Sequence, residues 1–192
     1  QVTTLFGSSV PNTLADFARA SQISQAEAVK YFIERFRVGK WRRTGILWWN
    51  LIDCWPQFSD AVVDYYFVKK LAYSYIKRSQ NPICMMFDEP KENKLTLHAV
   101  NEYDTPAKLT YKVTDLTDKK VVCAGKVAAK PSASAAVESV PFQADEKHFY
   151  LIEWELNGKK YTNHYMTNCI DIDYKIYLNF LSECGYDTFE GF

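Results

Sequence analysis

The chain has 192 residues, 47% of them hydrophobic and 16% aromatic, so it can bury a sizeable core as one ordinary domain or two small ones. Its 23 basic and 23 acidic residues cancel, which removes the electrostatic argument for a nucleic acid or an anionic membrane surface as a partner. No apolar run reaches the ~18 to 20 residues of a membrane span, and the opening QVTTLFGSS lacks the basic start and apolar core of a signal peptide. With Gln1 in place of an initiator Met, the chain reads as a piece of something longer or a processed form.

Residues 12–38 carry helical periodicity. Leu14, Phe17, Ala18, Ala26, Val29, Phe32, Ile33 and Phe36 recur at three- and four-residue steps among charged positions. Asn12 or Thr13 can cap the start. Ser24 with Glu27 makes a capping box, so a break is expected near 21–24, and Gly39 suits the end. Residues 45–52 (GILWWNLI) are continuously apolar, the pattern of a strand buried on both faces in a parallel sheet. Turn chemistry fills 53–66, with a short extended run at 61–63. A helix is expected over 67–79, with Leu71, Ala72, Tyr75 and Ile76 on one face, stopped by Asn81-Pro82.

After Pro82 the pattern changes to short alternating runs separated by turn signals, as in an all-β sandwich. Strands are expected at 94–101, 108–115, 119–124, 134–141, 148–156 and 159–167, with Asn157-Gly158 as a type I′ hairpin turn. The Ala-, Ser- and Lys-rich stretch 126–136 reads as a loop. Residues 173–184 return to helical spacing, with Ile176, Tyr177, Phe180 and Leu181 on one side and Gly185 at the end. The expected class is α+β: a helix-strand-helix piece over 1–82, then a β-sandwich with a final helix over 83–192.

Residues 45–56 end in aromatic and polar groups, as a barrel strand does where it meets an active site. Trp48, Trp49 and Trp55 fall within eight residues, and flat rings of this kind stack on a pyranose face. The five cysteines (Cys54, Cys84, Cys123, Cys169 and Cys184) are an odd number with no C-x-x-C pair, so they are expected as buried or idle thiols. His98, His148 and His164 show no ligand spacing, and neither a metal nor a cofactor is expected.

The segment GILWWNLIDCWPQFSDAVVDYYFVKKLAYSYIKRSQNP resembles the end of the catalytic domain of glycoside hydrolase family 2, the β-galactosidase, β-mannosidase and β-glucuronidase group. Gly45, Trp49, Asp53, Trp55, Pro56, Val63, Asp64, Tyr65, Lys70, Ala72 and Tyr73 carry the match. Ile52 stands where the family has Asn, and Lys69 where it has the helix-starting Pro. SQAEAVKYFIERFR resembles the barrel helix before the eighth strand in the mannosidase-like branch. The resemblance implies that residues 1–82 end a (β/α)8 barrel and that 83–192 hold an immunoglobulin-like sandwich. It implies a retaining hydrolysis of a β-linked sugar by two Glu residues, both upstream of Gln1. Glu27 and Glu34 follow no catalytic-strand pattern, so the chain alone is expected to be inert.

In the family, the residue matching Trp49 forms the floor beneath the cleaved sugar, and Trp49 is the leading substrate-binding candidate. Asp53 either accepts hydrogen bonds from sugar hydroxyls or ties down the following loop. Asn50 and Trp55 are weaker candidates, and Trp48 and Asp64 read as structural. Tyr150, Trp154, Tyr161 and Tyr165 are either an aromatic sugar-binding strip or core. The competing functions are therefore a fragment of a glycosidase, a non-catalytic carbohydrate-binding module, and a structural brace. The partners implied are the rest of the parent barrel and its sugar. A strand at 45–52 without parallel neighbours needs cover, expected from the flanking helices or from a second copy of the chain. The family points to the periplasm or to secretion, while the unpaired cysteines point toward a reduced compartment and leave the cytoplasm open.

Overall fold

The computed structural model describes residues 1–186, which contain four α-helices and seven β-strands. The chain forms two compact units: residues 1–33, 46–78 and 169–192 make the first, and 34–45 with 79–168 the second. The segment carrying the last helix thus groups with the first helices and not with the sandwich that precedes it.

The first unit is mainly helical. α1 (Val2–Phe6) is followed by a 3-10 turn (Gly7–Ser9), and neither was expected. Gly7 has φ +47°, and a Cβ there would sit 1.8 Å from Asp171 Oδ1, so only glycine fits. α2 (Leu14–Val38) is one uninterrupted helix, with no break at 21–24. Thr13 caps it: its hydroxyl accepts from the Asp16 N–H at 3.2 Å and donates to Asp16 Oδ2 at 2.8 Å. Ser24 is buried inside the helix and opens no new one. The buried stripe of this helix in the first unit runs through Ala20, Ile23, Ala26, Lys30 and Ile33. Leu14, Phe17 and Phe32, expected on the inner face, are 85%, 42% and 55% exposed.

α3 (Leu71–Ser79) starts four residues later than expected, because Phe67 takes φ +66° in a turn before it. Its first N–H is met by Gln22 Oε1 at 2.9 Å. Leu71, Ala72, Tyr75 and Ile76 are buried, as the spacing predicts. α4 (Tyr174–Glu183) is capped by Asp173, which accepts from Ile176 N–H at 2.9 Å, and ends at Gly185 with φ +67°. It buries Tyr174, Tyr177 and Leu181, whereas Ile176 points outward. Tyr177 joins the helices: its hydroxyl lies 2.8 Å from the Tyr75 hydroxyl and donates to Glu27 at 2.5 Å. Burial first, and then the Glu27 charge, raise both phenols well above their ordinary range, so they stay neutral donors. Tyr177→Phe should cost about 1–2 kcal/mol by removing the hydroxyl that links Tyr75 to Glu27, read as a lower urea midpoint at unchanged slope.

The second unit is the sandwich. One sheet has the order β1 (Ile83–Phe87), β2 (Lys94–Asn101), β5 (Ala133–Pro141); the other has β4 (Lys120–Ala129), β3 (Ala107–Asp115), β6 (Phe149–Leu156), β7 (Lys159–Met166). All pairings are antiparallel. β3 alternates strictly, with Leu109, Tyr111 and Val113 turned to a core that also holds Leu95, Leu97, Ile152 and Trp154. Asn157 and Gly158 have φ +51° and +77°, the type I′ hairpin that the Asn-Gly pair predicts.

Two corrections arise here. β1 was not anticipated, because ICMMF is buried at every position and shows no alternation. Residues 126–136 are not a loop: β4 runs to Ala129 and β5 begins at Ala133, leaving a short turn. Small side chains on a half-exposed hairpin gave little apolar signal.

The last turn of α2 is pinned to this unit by charge. Arg35 pairs with Asp88, and with Glu89 at 2.9 Å. Arg37 reaches Glu102 at 3.2 Å and the Asn81 carbonyl at 2.8 Å. Asp88 is partly desolvated, which alone would raise its pKa. Lys91, the Glu89 N–H and Arg35 outweigh that and hold the carboxyl below the usual range. Its folded pKa therefore lies below the unfolded value of about 3.9. The stability it contributes is present above that value and lost as pH falls through the folded pKa. Asp88→Asn should flatten the acid limb of the stability profile below about pH 4, measured by denaturant titration at stepped pH.

Candidate functional site

The candidate residues lie in the first unit, on irregular backbone and not on a strand. Residues 45–52 do not form the expected buried strand: Leu47, Trp49 and Leu51 are 101%, 81% and 60% exposed. A strand needs a partner for its backbone groups, and here only the last residues find one. Val62 N–H donates to Asn50 O at 3.2 Å, Val63 N–H to Leu51 O at 2.9 Å, and Asp53 N–H to Val63 O at 3.1 Å. This fragment of parallel ladder pairs the 50–53 backbone with the extended run at 61–63. The flanking helices, one of the two covers expected, leave Trp49 open.

Asp53 is the fixed point of the site, with its side chain 1% exposed. Oδ1 accepts from Gln57 Nε2 at 3.1 Å and from the Ser59 hydroxyl. Oδ2 faces Lys70 Nζ at 3.2 Å. Lys70 also donates to the Ser59 carbonyl at 3.2 Å, and Ser59 Oγ accepts from Ala61 N–H at 3.1 Å. The Ser59 hydroxyl, opposed by desolvation and then aided by Gln57 and Lys70, holds this carboxyl below the usual carboxylate range. Every oxygen of Asp53 is thus engaged in folding the loop that follows it.

Around that knot the aromatic groups point outward. Trp49 and Trp55 are 81% and 60% exposed, whereas Trp48 is half-buried. Asn50 is half-buried, with its Oδ1 enclosed and without a hydrogen-bond partner among the described residues. Asp64 behaves as its residue type suggests, accepting from Tyr66 and Val68 N–H at 2.9 and 2.8 Å. The result is an open aromatic surface over a buried, charge-locked loop.

No family model matches the chain. It is 36% identical over 81 residues to a β-mannosidase B of Thermothelomyces thermophilus, covering 38% of this chain and 9% of that protein. It is 31% identical over 114 residues to a β-mannosidase B of Aspergillus niger, covering 49% of this chain and 13% of that protein. A β-D-mannosidase structure from Dictyoglomus thermophilum superposes with TM-score 0.69 at 24% identity, over 85% of this chain and 21% of its own. The chain resembles the C-terminal part of a family 2 glycoside hydrolase. An exo-chitosanase of Amycolatopsis orientalis superposes with TM-score 0.67 at 21% identity, over 86% of this chain and 20% of that one. The chain therefore spans about a tenth of the curated glycosidases it matches and a fifth of the solved ones.

Of the remaining aromatic candidates, Tyr150 and Trp154 lie in the sandwich core, and Tyr161 and Tyr165 are half-buried against it. Trp154 and Tyr150 are 2% and 4% exposed, and Trp154 stacks on Tyr161 with centroids 5.6 Å apart. They serve the core and offer no open strip. Of the thiols, Cys84 and Cys184 are buried, Cys123 is half-buried, and Cys54 and Cys169 are exposed. The histidines also differ from one another. His98 and His164 sit on strands, but His148 precedes β6 and lies beside Asp115 and Asp118, a juxtaposition that no spacing in the sequence announces.

Proposed function

We propose that this chain is the C-terminal part of a retaining β-glycosidase, and that it supplies the aromatic floor of the substrate site while the catalytic carboxylates lie in the remainder of the parent. The observation that carries this reading is Trp49, held open on a loop anchored by the buried Asp53–Lys70 pair. Similarity to β-mannosidases over a small share of their length supports it. Residues 46–78 with the N-terminal part of α2 would close the end of the barrel, and residues 79–168 would form the immunoglobulin-like domain.

Trp49 would stack under the ring at the cleaved bond and keep water from its face. Asp53 would act by positioning, holding the loop on which Asn50 and Trp55 sit. Leu14, Phe17, Phe32, Leu47, Trp49 and Leu51 are each exposed, and large apolar side chains left open suit a missing partner. The preceding barrel elements of the parent are that partner.

The test is activity on 4-nitrophenyl β-D-mannoside. The 192-residue chain alone should release no nitrophenol above the buffer rate, and the chain joined to its preceding coding sequence should turn over. Turnover by the isolated chain would overturn the reading. Sedimentation of the isolated chain then shows whether a second copy covers the same surface when the barrel is absent.

A further inference from the structure

At one end of the sandwich, where β3 turns into β4, lies a cavity of about 320 Å³ lined by Asp115, Asp118, Lys120, Glu146, His148 and Tyr150 among others. Asp115 is buried, and its two oxygens are used differently. Oδ1 accepts from Thr117 and Asp118 N–H at 2.9 and 3.3 Å, which fixes the turn. Oδ2 is left to face His148 Nδ1 at 2.8 Å. That nitrogen is fully enclosed, yet the contact lacks the alignment of a hydrogen bond. On the far side of the ring, His148 Nε2 lies 3.1 Å from Glu146 Oε2. One ligand atom each from Asp115, Asp118 and His148 lies within 4.8 Å of the others.

We propose that this cavity is a binding site for a divalent transition-metal ion of the zinc class, ligated by His148 Nδ1, Asp115 Oδ2 and an Asp118 carboxylate oxygen. The donor set suits such an ion, which takes imidazole and carboxylate together. Bonds of about 2.0–2.2 Å put tetrahedral ligands roughly 3.4 Å apart, so closing the site asks only for side-chain rotation. Glu146 stands where a metal-bound histidine finds its orienting carboxylate, accepting from the ring nitrogen that does not bind the ion.

An independent feature points into the same space. Tyr150 is 4% exposed and lines the cavity, and its hydroxyl makes no hydrogen bond among the described residues. A metal-bound water in the fourth position would give it an acceptor. Lys120 Nζ contacts Asp118 Oδ2 at 2.9 Å, but this lysine is 61% exposed and can swing away at small cost.

The test titrates the 192-residue chain with zinc chloride by calorimetry, and with cobalt(II) by visible absorption. Binding of one ion per chain is expected, without a thiolate charge-transfer band. Affinity should fall at least about tenfold in His148→Ala and in Asp118→Asn, and about 10- to 100-fold in Glu146→Gln. Asp118 is exposed, so its variant remains informative if His148→Ala folds poorly. Cys54→Ser with Cys169→Ser should leave affinity unchanged. No binding up to millimolar zinc, binding unchanged in Asp118→Asn, or binding lost with the two cysteines would overturn the proposal.

Discussion

Replacing Glu34 by alanine is expected to destabilise the sandwich unit by about 3 kcal/mol, a large effect for one helix residue. Glu34 is only 4% exposed. Its Oε1 accepts from Asn163 Nδ2 at 2.8 Å and from the Ser79 hydroxyl at 3.4 Å, and the same Asn163 nitrogen reaches the Met85 carbonyl at 3.1 Å. Truncation removes a buried acceptor that two donors share, and losing such an acceptor costs more than the hydrogen bonds themselves are worth. Glu34→Gln keeps an oxygen in place and should cost roughly 1 kcal/mol. A double-mutant cycle of Glu34→Ala with Asn163→Ala should give a coupling of about 0.5–3 kcal/mol. Urea unfolding followed by far-ultraviolet circular dichroism reads all three. Additivity within error would show that the two residues do not act as a unit.

The second large effect falls on chemistry and spares stability. In the intact parent, Trp49→Ala should lower kcat/KM by about 100-fold, the scale of losing a positioning surface under the reacting ring. The side chain is 81% exposed, so the same change in the isolated chain should move its unfolding free energy by less than about 0.5 kcal/mol. The pair of measurements separates a substrate floor from a packing residue. A large loss of stability with unchanged kcat/KM would assign Trp49 to the fold. The sign of the contrast also distinguishes Trp49 from Asp53, whose substitution should alter proteolytic protection of residues 53–61 as well as activity.

Legibility in the sequence followed the kind of signal each segment carries. Helical spacing and capping found α2, α3 and α4, and two-residue alternation found β2, β3, β6 and β7. Asn157-Gly158 predicted its turn because only that backbone conformation suits the pair. Segments without periodicity were misread in both directions. The apolar run at 45–52 looked doubly buried and is largely exposed, since an apolar strand depends on neighbours that no pattern within the run can report. ICMMF looked featureless and is a strand buried throughout. On α2, Phe17 and Phe32 matched the period yet face outward, while the polar Ser24, Lys30 and Glu34 lie inside. Polar groups enter a core when a distant partner meets them, as Asn163 does for Glu34, and sequence spacing carries no trace of a partner 129 positions away. The cluster of Asp115, Asp118 and His148 was hidden for the same reason. Trp49, Asn50, Asp53 and Trp55, by contrast, were named together because they are neighbours in the chain.

β1 is the outermost strand of its sheet, and it is apolar along its whole length. The bonds from Asp88 N–H to Thr96 O and from Glu102 N–H to Pro82 O set which residues pair inward, leaving Ile83, Met85 and Phe87 to present their backbone groups at the free edge. Left uncovered, such an edge would be a template for another chain's strand, but every residue of β1 is buried. Asn163 closes it at Met85 by borrowing the carbonyl that an incoming strand would need, with Glu34 keeping the amide aimed. Two polar residues thus act as a selvedge, finishing a woven border so that it neither frays nor catches on the next cloth.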